Sequence, residues 1–474
     1  MNLTQEQINQ FKQAINAKNY YFVYRFFMAD LGKVIRDENG LLYIYNINHY
    51  ELLEEQTIKY ALFNFIVSTE VNCPEKIRTR IIDEITEIII GSPEYPKVIM
   101  NNEENYLFFK NGSFNLDALE FKEPDNKLYN TFYIDIDFDW SKKECPNMEK
   151  FMGQVFIDEK GNPDQKQIAK EYMKLGYFLY PLHKMEKIFI YIGGTLNGKS
   201  VYFEIIQNFF PKQFISFLPL EDIIAGGLER TELLSSYLNI AQEFEADYFK
   251  SMEFKKVISG QEITIKRKFK QAITIKPKAK LIVALNDYPE FTDKSKAITR
   301  RLDITEMNAK FVEEEEYSNY KNAQSQKIFL AKEKDNIIRE ILPEKSAILN
   351  HLISGLLELK KRGWAMPVLE SNKLALQEFE ENNNPLAGFL LGRYEFCEES
   401  EKMISPSYIY DDCEHAGIEI KGESRRSKEM HLAKTIRQNF NTKSYPVRRG
   451  LSVERLYPLT LKQTYVDLSK EEIL

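Results

Sequence analysis

Eight consecutive residues, Gly193-Gly194-Thr195-Leu196-Asn197-Gly198-Lys199-Ser200, fit the spacing G-x-x-x-x-G-K-[ST]. Glycines at these positions let successive backbone N–H groups turn inward around a phosphate. A helix beginning at the lysine would aim its positive end at the same anion. Lys199 offers a mobile cation to the β- and γ-phosphates, and Ser200 offers a hydroxyl to Mg²⁺. The expected cofactors are therefore ATP and Mg²⁺, held by residues 193–201, with Val201 closing the segment.

A phosphate loop does not name a reaction, so its companions matter. Residues 237–242 are apolar and lead to Glu243. A carboxylate at the end of a neighbouring strand can hold the metal or polarise an attacking water. Glu243 is expected to do so, with Glu245 as a second candidate. Residues 279–285 form another apolar run and end in Asn286, an amide able to hydrogen-bond a γ-phosphate or a water. Arg300 and Arg301 follow, and guanidinium groups suit the charge of a transferring phosphoryl, often across a subunit boundary. Taken singly, each residue also reads as an ordinary surface or turn residue.

These groups need a scaffold. Residues 187–192 are a short apolar run, as a buried strand of a parallel sheet should be. A helix is expected over 201–210, with further strands over 237–241 and 280–285. Between the acid and the amide, residues 263–275 form two alternating strands around a basic centre. In extended chain Lys266, Lys268 and Lys270 share one face. With Arg267 they could meet a polynucleotide backbone. Lys276, Lys278 and Lys280 extend the same basic stretch.

A second basic island lies near the end. Residues 428–440 can form a helix with Lys434 and Arg437 on one face, and residues 444–457 a hairpin carrying Arg448 and Arg449. Arg425 and Arg426 precede them. A helix followed by a basic wing is the arrangement of winged-helix DNA readers. A solvated charged face is the alternative for both islands.

The 474-residue chain has room for roughly three domains. Hydrophobic residues at 43% and aromatics at 13% supply real cores and exclude a largely disordered chain. No apolar run approaches the ~18 residues of a membrane span. The net charge of −7 excludes a uniformly basic coat, so any nucleic-acid surface must be local. Four scattered cysteines and no secretory leader fit a reducing bacterial cytoplasm. The five histidines show no metal spacing and read as structural. Helices are expected near 51–68, 75–90 and 145–180, hairpins around Asn39-Gly40 and Asn111-Gly112, a half-exposed strand over 135–140, a helix over 337–359 interrupted at Pro343, and a linker over 380–385.

The order of phosphate loop, strand ending in Glu243, basic hairpin, strand ending in Asn286 and Arg pair resembles the superfamily 3 helicases. These are a compact AAA+ group of viruses, phages, plasmids and mobile islands. The phage/plasmid and poxvirus primase-helicase type is the most similar, over residues 100–310. Residues 257–263, 297–302, 106–116 and Cys145-Pro146 add to the likeness. The Lys-, Asn- and Ile-rich composition is similar to that of replication initiators of staphylococcal pathogenicity islands and related mobile elements.

The resemblance implies an α/β protein, divided as follows. Residues 1–100 would be a mixed α+β domain and 101–180 a helical and mixed leader. Residues 181–335 would be the AAA+ ATPase domain with a parallel sheet, 336–385 a helical connector, and 386–474 a winged-helix-like domain. It implies an ATP-dependent DNA helicase and replication initiator acting as a hexameric ring. Lys199 and Ser200 would bind ATP and Mg²⁺, Glu243 would activate water, Asn286 would sense the γ-phosphate, and Arg300 or Arg301 would reach the next protomer. The hairpin would grip single-stranded DNA, the C-terminal domain would read duplex origin DNA, and a separate primase would be a partner. Two departures stand out. Gln242 occupies the place of an acid that many members carry, which leaves metal coordination to Ser200 and waters, or to Glu245. The first hundred residues are too few for a primase catalytic domain. An ATPase switch without unwinding and an origin-binding scaffold remain the other readings.

Overall fold

The computed structural model describes residues 5–31, 33–68, 74–242, 252–288, 300–383, 385–449 and 452–462. The first unit opens with α1 (Gln5–Asn16) and α2 (Tyr20–Leu31). An antiparallel meander of β1 (Val34–Arg36), β2 (Leu42–Asn46) and β3 (His49–Leu52) follows, then α3 (Glu55–Ser68) and α4 (Glu75–Gly91). Phe11, Phe27, Ile58, Phe65, Ile81 and Ile85 form its core. The turn between β1 and β2 is fixed by Asp37, whose carboxylate accepts the Asn39 and Leu41 N–H groups.

The next segment carries the hairpin β4 (Tyr106–Phe109) and β5 (Gly112–Asn115), with β6 (Glu120–Lys122) alongside. The strand expected over 135–140 does not form. Ile136 and Phe138 are buried, yet the chain there makes only a bridge from Ile134 to Phe109, and the Phe138 N–H goes to the Asn111 side chain. Irregular backbone that buries alternate residues mimics a strand in sequence. Two helices follow, α5 (Pro146–Val155) and α6 (Gln165–Leu179), the latter capped by the Asp164 carboxylate.

The central sheet comprises β7 (Ile188–Ile192), β8 (Ile215–Ser216), β9 (Leu238–Ala241), β12 (Lys280–Leu285) and β13 (Leu302–Glu306). All pairings are parallel, in the order β13-β7-β12-β9-β8. Strand β7 is buried on both faces. Ile188, Ile190 and Ile192 join one core, while Phe189 and Tyr191 join the other. After β7 come α7 (Lys199–Gln207) and α8 (Leu220–Ala225). Between β9 and β12 lie α9 (Met252–Ile258) and the hairpin β10 (Ile263–Arg267) and β11 (Lys270–Ile275).

Beyond the sheet come β14 (Lys310–Val312), α10 (Glu314–Tyr317), β15 (Ile328–Leu330), α11 (Lys334–Ile341), α12 (Lys345–Lys361) and α13 (Glu370–Asn383). Pro343 lies in a short 3-10 turn between α11 and α12, as its missing N–H requires. The linker expected over 380–385 is helical instead: α13 runs to Asn383 and α14 (Pro385–Arg393) starts two residues later. Asn382 and Asn383 continue a helix whose first turns pack on β13 through the buried Asn372, a contact invisible in local composition. The last unit adds β16 (Tyr394–Phe396), α15 (Pro406–His415), α16 (Arg425–Phe440), β17 (Tyr445–Arg449), β18 (Ser452–Leu456) and β19 (Leu459–Leu461). Its core is Leu390, Tyr394, Ile409, Cys413, Leu432 and Ile436. No helix among the described residues is long and apolar enough to cross a membrane.

A buried charge cluster ties these layers together. Lys174 on α6 lies 2.8 Å from both Glu171 and Asp303, and Lys170 lies 2.9 Å from Asp303. Glu171 also accepts the hydroxyls of Tyr191 on β7 (2.8 Å) and Tyr202 on α7 (2.9 Å). Two ammonium groups face two carboxylates, so the cluster is neutral. Burial raises the Asp303 pKa, but the two lysines prevail and hold it down to about 2. A depressed carboxyl contributes stability above the unfolded carboxylate range, near pH 4, and loses it as pH falls towards 2. Asp303→Asn is expected to cost about 3–5 kcal/mol at pH 7, because it leaves two buried ammonium groups with a single carboxylate, Glu171, between them. The gap between variant and wild type should narrow from pH 4 to pH 2, as followed by urea unfolding.

Candidate nucleotide site and nucleic-acid faces

The glycine-rich segment forms a turn between a strand and a helix. Strand β7 ends at Ile192, residues 193–198 turn, and α7 begins at Lys199. The loop is held from outside. The Gly193 N–H donates to Leu285 O (3.1 Å), the Phe311 N–H to Leu196 O (2.7 Å), and the Met307 N–H to Ile192 O (2.7 Å). Inside it, the buried Asn197 amide donates to Met307 O (3.0 Å) while its oxygen accepts from the Lys199 N–H (3.3 Å). Gly198 caps α7 with φ +85°, a conformation that L side chains rarely adopt.

Lys199 Nζ folds back onto the loop. It donates to Gly193 O, to Gly194 O at 2.9 Å and to Asn286 Oδ1 at 3.3 Å. Desolvation lowers its pKa, and the Asp287 carboxylate opposes that shift. Thr195, Leu196 and Ser200 are exposed, and Val201 packs partly into the core. The sheet topology explains why Asn286 arrives here. The connection from β7 leads to the far edge at β8, and that from β12 leads to the opposite edge at β13. Diverging connections leave a crevice outside the C-terminal ends of adjacent strands, where ligands of open α/β sheets bind. Lys199 and Asn286 are the groups at that crevice.

The other expected residues fall as follows. Glu243 and Glu245 lie outside the described residues, so the sheet shows only that β9, which precedes them, is two strands from β7. Arg300 and Arg301 sit at the N-terminal end of β13, opposite the loop: the Ile188 N–H donates to Arg301 O. Both reach Glu186, at 3.6 and 3.0 Å. Neither joins the crevice of its own chain. Asp287, beside Lys199, was not singled out by the sequence. Its place directly after a strand-terminal amide was the available signal.

The basic hairpin exists, with its tip at Lys268-Phe269. Ile263, Ile265 and Ile273 are buried, and Arg230 anchors the base by donating to Thr264 O (3.1 Å) and Ile223 O (2.7 Å). Phe269 is 95% exposed with φ +58°, and Lys268 Nζ lies 5.2 Å from its ring centre. Lys266 is exposed, and Arg267 donates to Gln271 O. The single extended face expected for Lys266, Lys268 and Lys270 is broken, because a turn and a register shift intervene. The Lys270 side chain lies outside the described residues. Lys278 and Lys280 do not extend this basic surface. Burial pushes Lys278 down to about 7 and Lys280 well below the ordinary lysine value. Lys280 donates to Tyr180 O under the Tyr177 ring.

In the last unit, α16 begins three residues earlier than expected, where Ser424 and Ser427 cap each other. Leu432, Thr435 and Ile436 face the core, while Arg426, Met430, Lys434 and Arg437 share the exposed side. Arg425 is spent within the fold, on Glu429 (3.1 Å), Asp411 (3.8 Å) and the Tyr410 ring. Strands β17 and β18 pair antiparallel from Tyr445↔Leu456 to Arg449↔Ser452. Arg448 is exposed, and the Arg449 side chain lies outside the described residues.

A family of unknown function, DUF5906, matches residues 191–301, the span of phosphate loop, hairpin and Asn286. No curated protein matches the chain. Among solved structures, the A form apo structure of the NrS-1 C-terminal region is similar at 13% identity and TM-score 0.47, covering 93% of this chain and 98% of that one. Two further apo structures of the NrS-1 C-terminal region (305–718) give 14% and 12% identity with TM-scores of 0.47 and 0.48. Each covers 93% of this chain and 99% of the other. Likeness at this level assigns no activity.

The loop glycines differ in what they tolerate. A Cβ on Gly193 would lie 1.8 Å from Asn197 Nδ2 and 2.6 Å from Met307 O, whereas a Cβ on Gly194 meets nothing within 4 Å. Gly193→Ala should therefore lower the melting temperature of the protein, while Gly194→Ala should leave it unchanged, as followed by thermal unfolding.

Proposed function

We propose that the chain is an ATP-dependent DNA helicase and replication initiator of a phage, plasmid or mobile genetic island. Its central unit is the AAA+ ATPase and its last unit a winged-helix DNA reader. The observation that carries this reading is Lys199 at the start of α7, folded onto the loop carbonyls beside Asn286 at the diverging strand ends. An ATP phosphate would replace those carbonyls as the partner of the ammonium, and the α7 N–H groups would meet the same anion. Mg²⁺ would sit at the Ser200 hydroxyl, with Glu243 as the acid that orients water. Arg300 or Arg301 would serve the site of the neighbouring protomer in a hexamer, since each lies at the wrong end of β13 for its own.

The hairpin and the last unit supply the second half of the reading. Lys268 lies in an exposed tip, and the exposed Lys266 precedes it, an arrangement suited to a single strand. Arg426, Lys434 and Arg437 on α16, with Arg448 on the ribbon, suit a duplex. A separate primase would complete replication, and the site of action would be the bacterial cytoplasm. An ATPase switch without unwinding is the second reading, since the phosphate loop supports it equally.

On forked DNA, wild type should displace a strand with ATP, and Lys199→Ala should lose that activity by at least about a hundredfold. Lys266→Ala with Lys268→Ala should keep basal ATP hydrolysis but lose its stimulation by single-stranded DNA. Unchanged stimulation would favour the switch. Lys434→Ala with Arg437→Ala should weaken duplex binding and flatten the slope of log K against log salt by about 0.9 per lost phosphate contact. Arg425→Ala should leave that slope unchanged.

A further inference from the structure

Three potential metal ligands, two from one turn and one from about two hundred residues further on, converge away from the crevice. Cys145 precedes the first residue of α5, Glu149 follows one turn later, and His351 lies on α12. Each offers one ligand atom, and these atoms all lie within 4.8 Å of one another. The thiol is buried, the imidazole half-buried and the carboxylate exposed. Cys145 and Glu149 are four residues apart on one helical face, which is how a helix presents two ligands to one ion.

The surroundings orient the set. His351 Nε2 donates to Lys143 O at 2.9 Å, which leaves Nδ1 as the free acceptor. Glu344 does not compete for an ion, because its carboxylate is engaged by the Asn147 and Met148 N–H groups, both at 3.0 Å, and by the Asn147 amide. The Tyr172 ring lies against His351 at 5.5 Å, and its buried hydroxyl interacts with the Cys145 thiol. Without an ion the thiol is a poor anion: burial first, then Glu149 and Glu344, push it up to about 12.

We infer that Cys145, Glu149 and His351 form a divalent transition-metal site, best suited to Zn²⁺, with a water completing the tetrahedron. Thiolate, imidazole and carboxylate together match the borderline softness of that ion. Binding releases the thiol proton to solvent as the Zn–S bond forms. The site would join the start of α5 to α12. Helix α5 also carries Phe151 and Val155, which pack against Gly198 of the phosphate loop. The ion would therefore brace the element that backs the nucleotide site, whatever reaction that site performs.

The test uses the full chain, stripped by a chelator and titrated with Co²⁺ and then Zn²⁺. One Co²⁺ per chain should produce a thiolate charge-transfer band, displaced by Zn²⁺. Cys145→Ser should lose the band, while Cys413→Ser should keep it. Glu149→Gln, an exposed change that leaves the fold intact, should weaken Zn²⁺ at least tenfold. Zn²⁺ should raise the melting temperature of wild type but not of His351→Ala. Absence of the band in wild type, or its persistence in Cys145→Ser, would overturn the assignment.

Discussion

The fold depends on a neutral knot of four charges under the phosphate loop. Lys170 and Lys174 leave α6 on the same side, one turn apart, and meet Asp303 on the outermost strand of the sheet. Burying four charges is expensive unless each finds both an opposite charge and hydrogen bonds. Here they do. Lys170 also donates to Asn372 on α13, and Glu171 accepts from Gln167, Tyr191 and Tyr202. The partners come from α6, β7, α7, β13 and α13, so the register of the edge strand, the strand before the loop and the helix after it are set by a single network. A hydrophobic substitute could match the volume but would not fix those five elements in one arrangement.

Much of the loop's own geometry follows from that fixity. A glycine-rich turn is loose by nature. It becomes a defined cradle because its flanks are pinned from β12, from the chain after β13, and from Phe311 on β14. The small β14–β15 pair thus acts as a backstop for the turn, a role nothing in its sequence announces. The lysine that would neutralise a phosphate sits on loop carbonyls instead, so the ammonium is already oriented and already partly desolvated.

What the sequence reveals here is what depends on local pattern. The 187–192 run, the glycine spacing and the 280–285 run were sufficient to place β7, the loop and β12 within a residue or so, because buried parallel strands are continuously apolar. The Pro343 break was legible for the same reason. Long-range pairing was not. Nothing local marks Lys170 and Lys174 as buried, since their partner Asp303 lies more than a hundred residues away. Lys278 and Lys280 read as part of a basic surface, yet the strand they enter is interior. Residues 135–140 alternate as a strand would, but their N–H groups find side chains and turns rather than a ladder. The convergence of Cys145, Glu149 and His351 is likewise a product of helix packing and has no spacing signature.

The position of Arg300 and Arg301 carries one more implication. Strand β13 separates them from its other end by roughly 17 Å, at about 3.3 Å per residue, and Glu186 quiets both. A solitary copy therefore holds both guanidinium groups away from its own crevice. If the proposed chemistry holds, idle burning is suppressed by geometry rather than by an inhibitor, and the protein becomes a motor only where crowding at an origin brings its copies rim to rim.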